Sequence, residues 1–138
     1  MLIQTYHPNH YALLHACAQD YAGFYAEEIR YRKSLSYPPF VALASLLVHG
    51  EELMHVMTTA AEIRTALDEA NTDRACRILG PAPAPLSRLK GEHRIQLLIK
   101  SRSRPRLREV IDMAFANAAA QGSDLRAVNL EIDPVNLM

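Results

Sequence analysis

The sequence is poor in the residues that build disulfide frameworks and metal centres. Of its 138 residues only two are cysteines, and Cys17 and Cys76 belong to no Cys-x-x-Cys motif or Cys/His cluster. Two isolated thiols cannot form a zinc site by themselves, and they are not expected to pair in a reducing compartment. We therefore predict no metal site, and we expect both cysteines to pack as small hydrophobic side chains.

Long apolar runs and catalytic motifs are missing as well. The longest apolar runs are about eight residues, far short of the roughly 20 that cross a bilayer. No basic segment leads into an apolar one, so a signal peptide is not indicated. The sequence contains no GxxxxGK[ST] loop, GxSxG elbow or HExxH pair. These absences predict a soluble, cytoplasmic protein without a membrane partner, catalytic residues or a cofactor of its own.

The net charge is zero, because 15 basic residues balance 15 acidic ones. The average conceals a segregation along the chain. Up to Asp73, four basic residues stand against nine acidic ones, and from Glu109 onward one stands against five. Between Arg74 and Arg108 there are ten basic residues and a single acidic one, Glu92. This segment, the basic block, indicates an anionic partner.

Two helices are predicted near the start of the chain. Leu2–Thr5 has the composition of a strand end, and Asn9 can cap a helix from about His10 to Ala18. Asp20 can cap a second helix, in which Glu28 and Arg32 form a supporting i,i+4 pair. The Tyr-Pro-Pro run at 37–39 then favours an extended turn.

From residue 40 the pattern predicts the order β-α-β-β-α-β. Phe40–His49 is apolar at both parities, which is typical of a central strand covered on both faces. A helix follows, with Glu51 and Glu52 in its first turn. The remaining elements are expected at Cys76–Leu79, His93–Lys100, Ser103 to about Gly122, and Val128–Ile132. The prediction is an α+β ferredoxin-like plait, a four-stranded antiparallel sheet with two helices on one face, preceded by a helical extension.

Three alternating prolines, Pro81, Pro83 and Pro85, continue directly from the second predicted strand. In the plait that strand lies at a sheet edge, where one side of the backbone has no ladder bonds to lose. The prolines are therefore compatible with the fold, and they would deter pairing with other chains.

The basic block supplies the candidate binding residues. Arg88 and Lys90 precede Gly91 in a predicted turn, Arg94 and Lys100 share one strand face, and a helix begins among four arginines. Arginines beside the free amides of a helix N-terminus form an anion site, although carboxylates are the usual residues there. The alternative is a solvated charged face. The candidate DNA-binding residues are Arg88, Lys90, Arg94, Lys100, Arg102, Arg104, Arg106 and Arg108.

Asp133 and Glu131 form an acidic tip at the last predicted strand without a matching base. Capping or a partner contact is the expected role of these carboxylates. His7, His10 and His15 are close in sequence but do not share a helical face well, so a surface role is favoured over metal binding.

Four segments together resemble a known family. "IQTYHPNH", "FYAEEIRYRKSLSYPPF", "ILGPAPAPLSRLKGEHRIQLLIK" and "LEIDPVNLM" are similar, in this order, to the C-terminal end of the bacterial primosomal replication-restart helicase PriA, or primosomal protein N-prime. The resemblance implies that residues 1–19 are the tail end of the second helicase lobe, a strand and helix remnant. It implies that residues 20–138 are the C-terminal DNA- and partner-binding domain. The ATP, magnesium and zinc sites of such a helicase would lie upstream.

The resemblance also implies partners. These are fork or single-stranded DNA, single-stranded-DNA-binding protein, other primosome proteins and the remaining domains of the parent helicase. The first hypothesis is a DNA-binding domain whose basic side chains converge on one surface. The second is a protein-interaction module in which Arg104 holds the acidic, hydrophobic tail of single-stranded-DNA-binding protein, with an apolar sheet face packed on the helicase lobes. A ribosome-like RNA binder follows from fold analogy alone.

Overall fold

The computed structural model describes residues 3–134, and the chain divides into two compact units, Met1–Tyr37 and Pro38–Met138. In the described part no helix is both long enough and apolar enough to cross a membrane. The assignment of residues 1–19 to a helicase lobe stays a prediction.

The first unit is a pair of helices, α1 (Tyr11–Cys17) and α2 (Tyr21–Ser34). The predicted cap of α2 is confirmed, because Asp20 Oδ1 accepts a hydrogen bond from the Gly23 amide at 2.9 Å. His10, not Asn9, caps α1, since its Nδ1 accepts from the Ala12 amide. Ile3–Thr5 lies in no helix or strand, so these residues do not form the expected strand, and Leu2 is outside the described residues.

Glu28 joins the two helices. It accepts from the Tyr11 hydroxyl on α1 and from Arg32 Nε at 2.6 Å on its own helix, as the i,i+4 spacing predicted. The hydrogen bond to Glu28, reinforced by burial, raises the pKa of Tyr11 to about 12. None of the described side chains of either helix is fully buried. The hydrogen bond between Tyr11 and Glu28 therefore contributes to holding α1 against α2.

The second unit has the predicted α+β architecture. Its elements are β1 (Ala42–Gly50), α3 (Leu53–Ala70), β2 (Cys76–Leu89), β3 (Glu92–Ser101), α4 (Arg104–Ala120), a 3-10 turn (Leu125–Ala127) and β4 (Val128–Ile132). The antiparallel sheet has the order β2-β3-β1-β4, which is the ferredoxin-like topology. The central position of β1 and the edge position of β2 are confirmed.

The core lies between the two helices and one face of the sheet. Leu46 opposes Leu97, and Val48 opposes Ile95, in the pairing of β1 with β3. The helices cover this face with buried side chains at helical spacing, among them Ile63 on α3 and Leu107 on α4. Side chains alternate across a strand, so the residues between the core positions point to the face without helices.

One helix start differs from the prediction. Glu51 and Glu52 precede α3 and do not occupy its first turn, because Glu52 is the N-cap residue with an extended backbone. The helix therefore begins two residues later than expected. The carboxylates still lie just ahead of the helix N-terminus, on the side that the dipole favours.

Strand β2 is much longer than the predicted Cys76–Leu79. It continues through the prolines to Leu89, with register irregularities after Leu79 and after Pro83. Arg64 of α3 supports this irregular edge, since its Nη1 donates to the Gly80 carbonyl oxygen at 2.5 Å. A side chain thus holds a backbone group beside the irregular part of the ladder.

Gly80 is the tightest point of this edge. Its φ is +95°, and a Cβ built there would lie 2.7 Å from the Gln96 carbonyl oxygen. We expect Gly80→Ala to lower the free energy of unfolding by roughly 2–4 kcal/mol, because backbone strain and a backbone clash add. Urea unfolding measures this change.

Gly122→Ala is the matched control. Gly122 has a φ of +86° but nothing within 4 Å of the added Cβ, so only the left-handed backbone is penalised, by about 1 kcal/mol. Equal losses for both variants would contradict the close approach of β2 to β3 at Gly80.

Candidate nucleic-acid interface

The structure divides the eight predicted binding residues into two groups. Arg88, Lys90 and Arg94 lie at the β2–β3 turn, where Arg88 pairs with His93. The other five, Lys100, Arg102, Arg104, Arg106 and Arg108, lie where β3 ends and α4 begins. Arg94 and Lys100 are six residue steps apart along β3, which corresponds to about 20 Å of extended strand. The fold does not bring all eight together, and their binding role stays a prediction.

Two of the α4 arginines are paired with carboxylates. Arg106 Nε donates to Asp73 at 2.9 Å, and its Nη1 lies 2.7 Å from Glu109. Arg104 forms an ion pair with Asp133, which gives the acidic tip a role within the fold. Asp73 and Asp133 from outside α4, and Glu109 within it, thus neutralise charges that are unfavourable at a helix N-terminus.

Asp133 also fixes the backbone of β1. Its Oδ1 accepts from the Leu43 amide at 3.0 Å, and its own amide donates to the Leu43 carbonyl oxygen at 2.6 Å. The Arg104 side chain is nevertheless 60% exposed, so its guanidinium keeps a surface for a second anion. Asp133 thus contacts a strand amide and an arginine within the fold and caps no described helix, since Ser103 is the N-cap of α4.

The start of α4 carries a shallow depression. Ser103 caps the helix as predicted, with its Oγ accepting from the Arg106 amide at 3.4 Å. Arg108 is exposed and forms no ion pair within residues 3–134. Together with Arg104 it contributes cations to the depression, whose lining is Arg104, Pro105, Arg108, Glu109, Asp112 and Met113.

A third arrangement lies on the face of the sheet without helices. Arg94, Gln96, Leu98 and Lys100 alternate with the core residues of β3, so all four share that face. Arg77 of β2 is directly opposite Lys100, which places it there too. The arrangement is fixed by strand register and not by a loop.

Arg77 and Lys100 are like charges in a directly opposed pair, which is unfavourable in a sheet. Burial and the charge of Arg77 lower the pKa of the Lys100 ammonium. Arg77 belongs to the basic block but was not among the predicted binding residues, which all lie beyond the prolines. Its alternation with Ile78, which packs against the core, was the available signal.

The apolar residues of this face differ in exposure, and Leu43, directly opposite Lys100, is buried. Leu47, Leu79 and Leu98 of the same face are half-buried, and Gln96 Nε2 donates to Ser45 Oγ at 2.9 Å among them. Within residues 3–134, no cluster of three or more His, Cys, Asp or Glu side chains is placed to hold a metal ion.

The Asp73–Arg106 pair makes a testable contribution to stability. The hydrogen bond from Arg106, with a second from the Ala75 amide, holds the pKa of Asp73 below its ordinary value of 3.8. A carboxyl whose pKa is lowered by folding stabilises the fold above its unfolded pKa, and the effect is lost as the pH falls through the folded pKa. Asp73→Asn should therefore be less stable than the parent at pH 7, and the difference should shrink as the pH falls from 3.8 through the lowered folded pKa of Asp73.

Urea unfolding at pH 7 and pH 3 measures this difference. Asp112→Asn is the control, because it removes the same charge from an exposed position of α4 that forms no ion pair within residues 3–134. A stability difference for Asp73→Asn that is equally large at both pH values would contradict the ion-pair explanation.

Known proteins are similar to this chain over most of its length. Residues 33–135 match the model of the family described as the primosomal protein N C-terminal domain. The replication restart protein PriA of Bacillus subtilis is 37% identical over 107 residues, covering 78% of this chain and 13% of that protein. The proteins of the same name from Chlamydia muridarum (31% identical, 98% and 18% covered) and Treponema pallidum (30% identical, 100% and 20% covered) also match. The chain spans a fifth or less of the length of these relatives.

Proposed function

Because the chain belongs to the family of primosomal protein N C-terminal domains, those of the replication restart protein PriA, we propose that it is a non-catalytic domain that contacts fork or single-stranded DNA. The parent would be an ATP-dependent DNA helicase, and its ATP, magnesium and zinc would be held outside this chain. The cations of the helix-free sheet face are the proposed contacts.

The observation that carries the proposal is the shared orientation of Arg77, Arg94 and Lys100. Strand register places the three side chains on one face, with Arg94 about 20 Å from the other two. A nucleic-acid backbone running along β3 would meet a cation at each end of this path.

This surface suits the backbone of DNA better than its bases. Base stacking in single-stranded binding needs aromatic platforms. The described strands place no Phe or Tyr on the helix-free face, where the residues between the cations are leucines and Gln96. We therefore expect affinity with little base preference, dominated by phosphate contacts and by salt.

Fluorescence anisotropy with a labelled single-stranded oligonucleotide and a forked duplex tests the proposal across a salt series. Arg77→Gln, Arg94→Gln and Lys100→Gln should each weaken binding. Each should reduce the slope of log affinity against log salt by about 0.7 if one phosphate contact is lost.

Arg126→Gln is the control for a change in net charge. Arg126 is 93% exposed and pairs with Asp124, near the opposite edge of the sheet. No binding at low salt, an affinity independent of salt, or an equal effect of Arg126→Gln would each overturn the proposal.

A second candidate function is binding of the tail of single-stranded-DNA-binding protein at the depression of α4. That tail is acidic and hydrophobic. The depression combines Arg104 and Arg108 with apolar surface from Pro105 and Met113, which is 46% exposed. Bidentate arginines would bind the carboxylates while the apolar groups contact the hydrophobic residues.

Arg108→Gln separates the two functions. A labelled synthetic peptide of aspartates followed by apolar residues should bind the parent chain more tightly than this variant, by about five- to tenfold. The oligonucleotide affinity of the same variant should change little. Arg104→Gln is a poorer test, because it also breaks the ion pair with Asp133. Displacement of the peptide by the oligonucleotide would show one shared site and contradict the assignment of separate surfaces.

A further inference from the structure

Strand β4 is the edge of the sheet opposite to β2. It pairs with β1 on one side, and within residues 3–134 no strand pairs with its other side. Its sequence, Val-Asn-Leu-Glu-Ile, lacks the proline and lysine that commonly protect an edge strand. Leu130, at its centre, is 39% exposed. The strand therefore presents backbone donors and acceptors to a further strand.

A hydrogen bond just after β4 shows how the backbone of the strand is oriented. The Asp133 amide donates to the Leu43 carbonyl oxygen at 2.6 Å, in the register that β4 keeps with β1. In an antiparallel pair only every second residue exchanges such bonds with the opposite strand. Asn129 and Glu131 therefore direct their backbone groups toward β1, as Asp133 does.

The other three residues of β4 direct their backbone groups away from β1. They are Val128, Leu130 and Ile132. Their side chains point to the helix side of the sheet, because Leu130 is directly opposite the core residue Leu46. The side chains of Asn129 and Glu131 point to the helix-free face.

The order of side chains in β4 is complementary to itself. If a second copy of the strand lies antiparallel, with the two Leu130 residues opposite each other, the strands overlap along their whole length. Val128 then meets Ile132 of the second copy on the helix side, and Asn129 meets Glu131 of the second copy on the helix-free face. The outward-directed backbone groups of Leu130 form a reciprocal pair of hydrogen bonds. Apolar side chains thus meet apolar ones, and each carboxylate meets an amide donor.

Neighbouring registers lack this match. A pairing centred on Glu131 places two carboxylates directly opposite each other, which is unfavourable across strands. It also reduces the overlap to residues 130–132, and a pairing centred on Asn129 reduces it to residues 128–130. The register centred on Leu130 is therefore favoured both by length and by charge.

We propose that a second copy of this chain occupies the β4 edge and that the two sheets join through their β4 strands. A two-fold axis perpendicular to the sheet relates the copies, which is the self-complementary arrangement of a symmetric dimer. The helices of both copies then lie on one side of the joined sheet, where the two Leu130 side chains are in contact. A seam of five residues is about 17 Å long and smaller than a standard interface of roughly 800 Å² per partner. The dimer therefore forms at high concentration and dissociates on dilution.

Sedimentation equilibrium of the 138-residue chain without DNA tests the proposal between about 10 µM and 1 mM. The expected result is a reversible monomer–dimer equilibrium. Leu130→Lys should weaken the dimer at least about tenfold, because it removes the apolar contact and places two ammonium groups directly opposite each other. Urea unfolding checks the fold of the variant, which should be kept because Leu130 is not part of the buried core.

Leu86→Lys is the matched control. Leu86 is 46% exposed on β2, the other edge strand, so the substitution makes the same change of charge and of apolar surface away from β4. It should leave the dissociation constant of the dimer unchanged. An equal effect of both lysine variants would contradict the β4 seam.

Two substitutions of Asn129 test the register. Asn129 is exposed, so neither substitution should disturb the fold. Asn129→Lys should tighten the dimer about fivefold, because two-fold symmetry creates two ion pairs with Glu131. Asn129→Glu should weaken it about fivefold, because it creates two pairs of opposed carboxylates. Effects of the two variants in the same direction would contradict the proposed register.

Amide hydrogen exchange followed by NMR locates the seam at single residues. Raising the protein concentration from about 0.1 to 1 mM should slow exchange of the Leu130 amide, which then donates to the second copy. The Asn129 and Glu131 amides are the internal reference, because they are directed toward β1 in the monomer as well.

Three results would overturn the proposal. The first is a chain that remains monomeric at about 1 mM. The second is a dimer that Leu130→Lys leaves intact, and the third is a dimer in which exchange of the Leu130 amide does not change. The second and third results would place the contact between copies elsewhere on the chain.

Discussion

The register between β1 and β3 is the constraint on which both faces of the second unit depend. Leu46 against Leu97 and Val48 against Ile95 fix the buried face. A shift by one residue would bury Arg94 and Lys100 and expose the core leucines, so burial alone specifies the register strongly. The positions of the cations on the helix-free face therefore follow from the packing of the opposite face. The proposed DNA surface needs no loop to arrange it.

The same fold divides the basic side chains by what surrounds them. Arg106 lies between Asp73 and Glu109 and contributes to the connection of α4 with the segment before β2. Arg64 donates a hydrogen bond to a backbone carbonyl oxygen of the edge strand β2. Arg77 and Arg88, in contrast, have no carboxylate partner within residues 3–134. The basic residues of the sequence thus include some that stabilise the domain and others, such as Arg77 and Arg88, that are available to a ligand.

Periodicity and capping residues were sufficient to predict the order of elements and the caps at Asp20 and Ser103, because these signals are local. The length of β2 was not predictable, since propensity rules end a strand at prolines whereas this edge tolerates them with help from Arg64. The two groups within the basic block were missed for a geometric reason. Residues close in sequence are carried about 20 Å apart when an extended strand lies between them.

Prolines at three alternating positions of β2 leave that edge without amide donors at Pro81, Pro83 and Pro85. The opposite edge, β4, contains no proline, and Leu130 within it is exposed. The two edge strands of the sheet therefore differ in the number of backbone amide donors that they carry. The backbone of β4 keeps all its amide donors whereas β2 has lost three, so the capacity of the sheet to add a further strand has a direction that is set by composition.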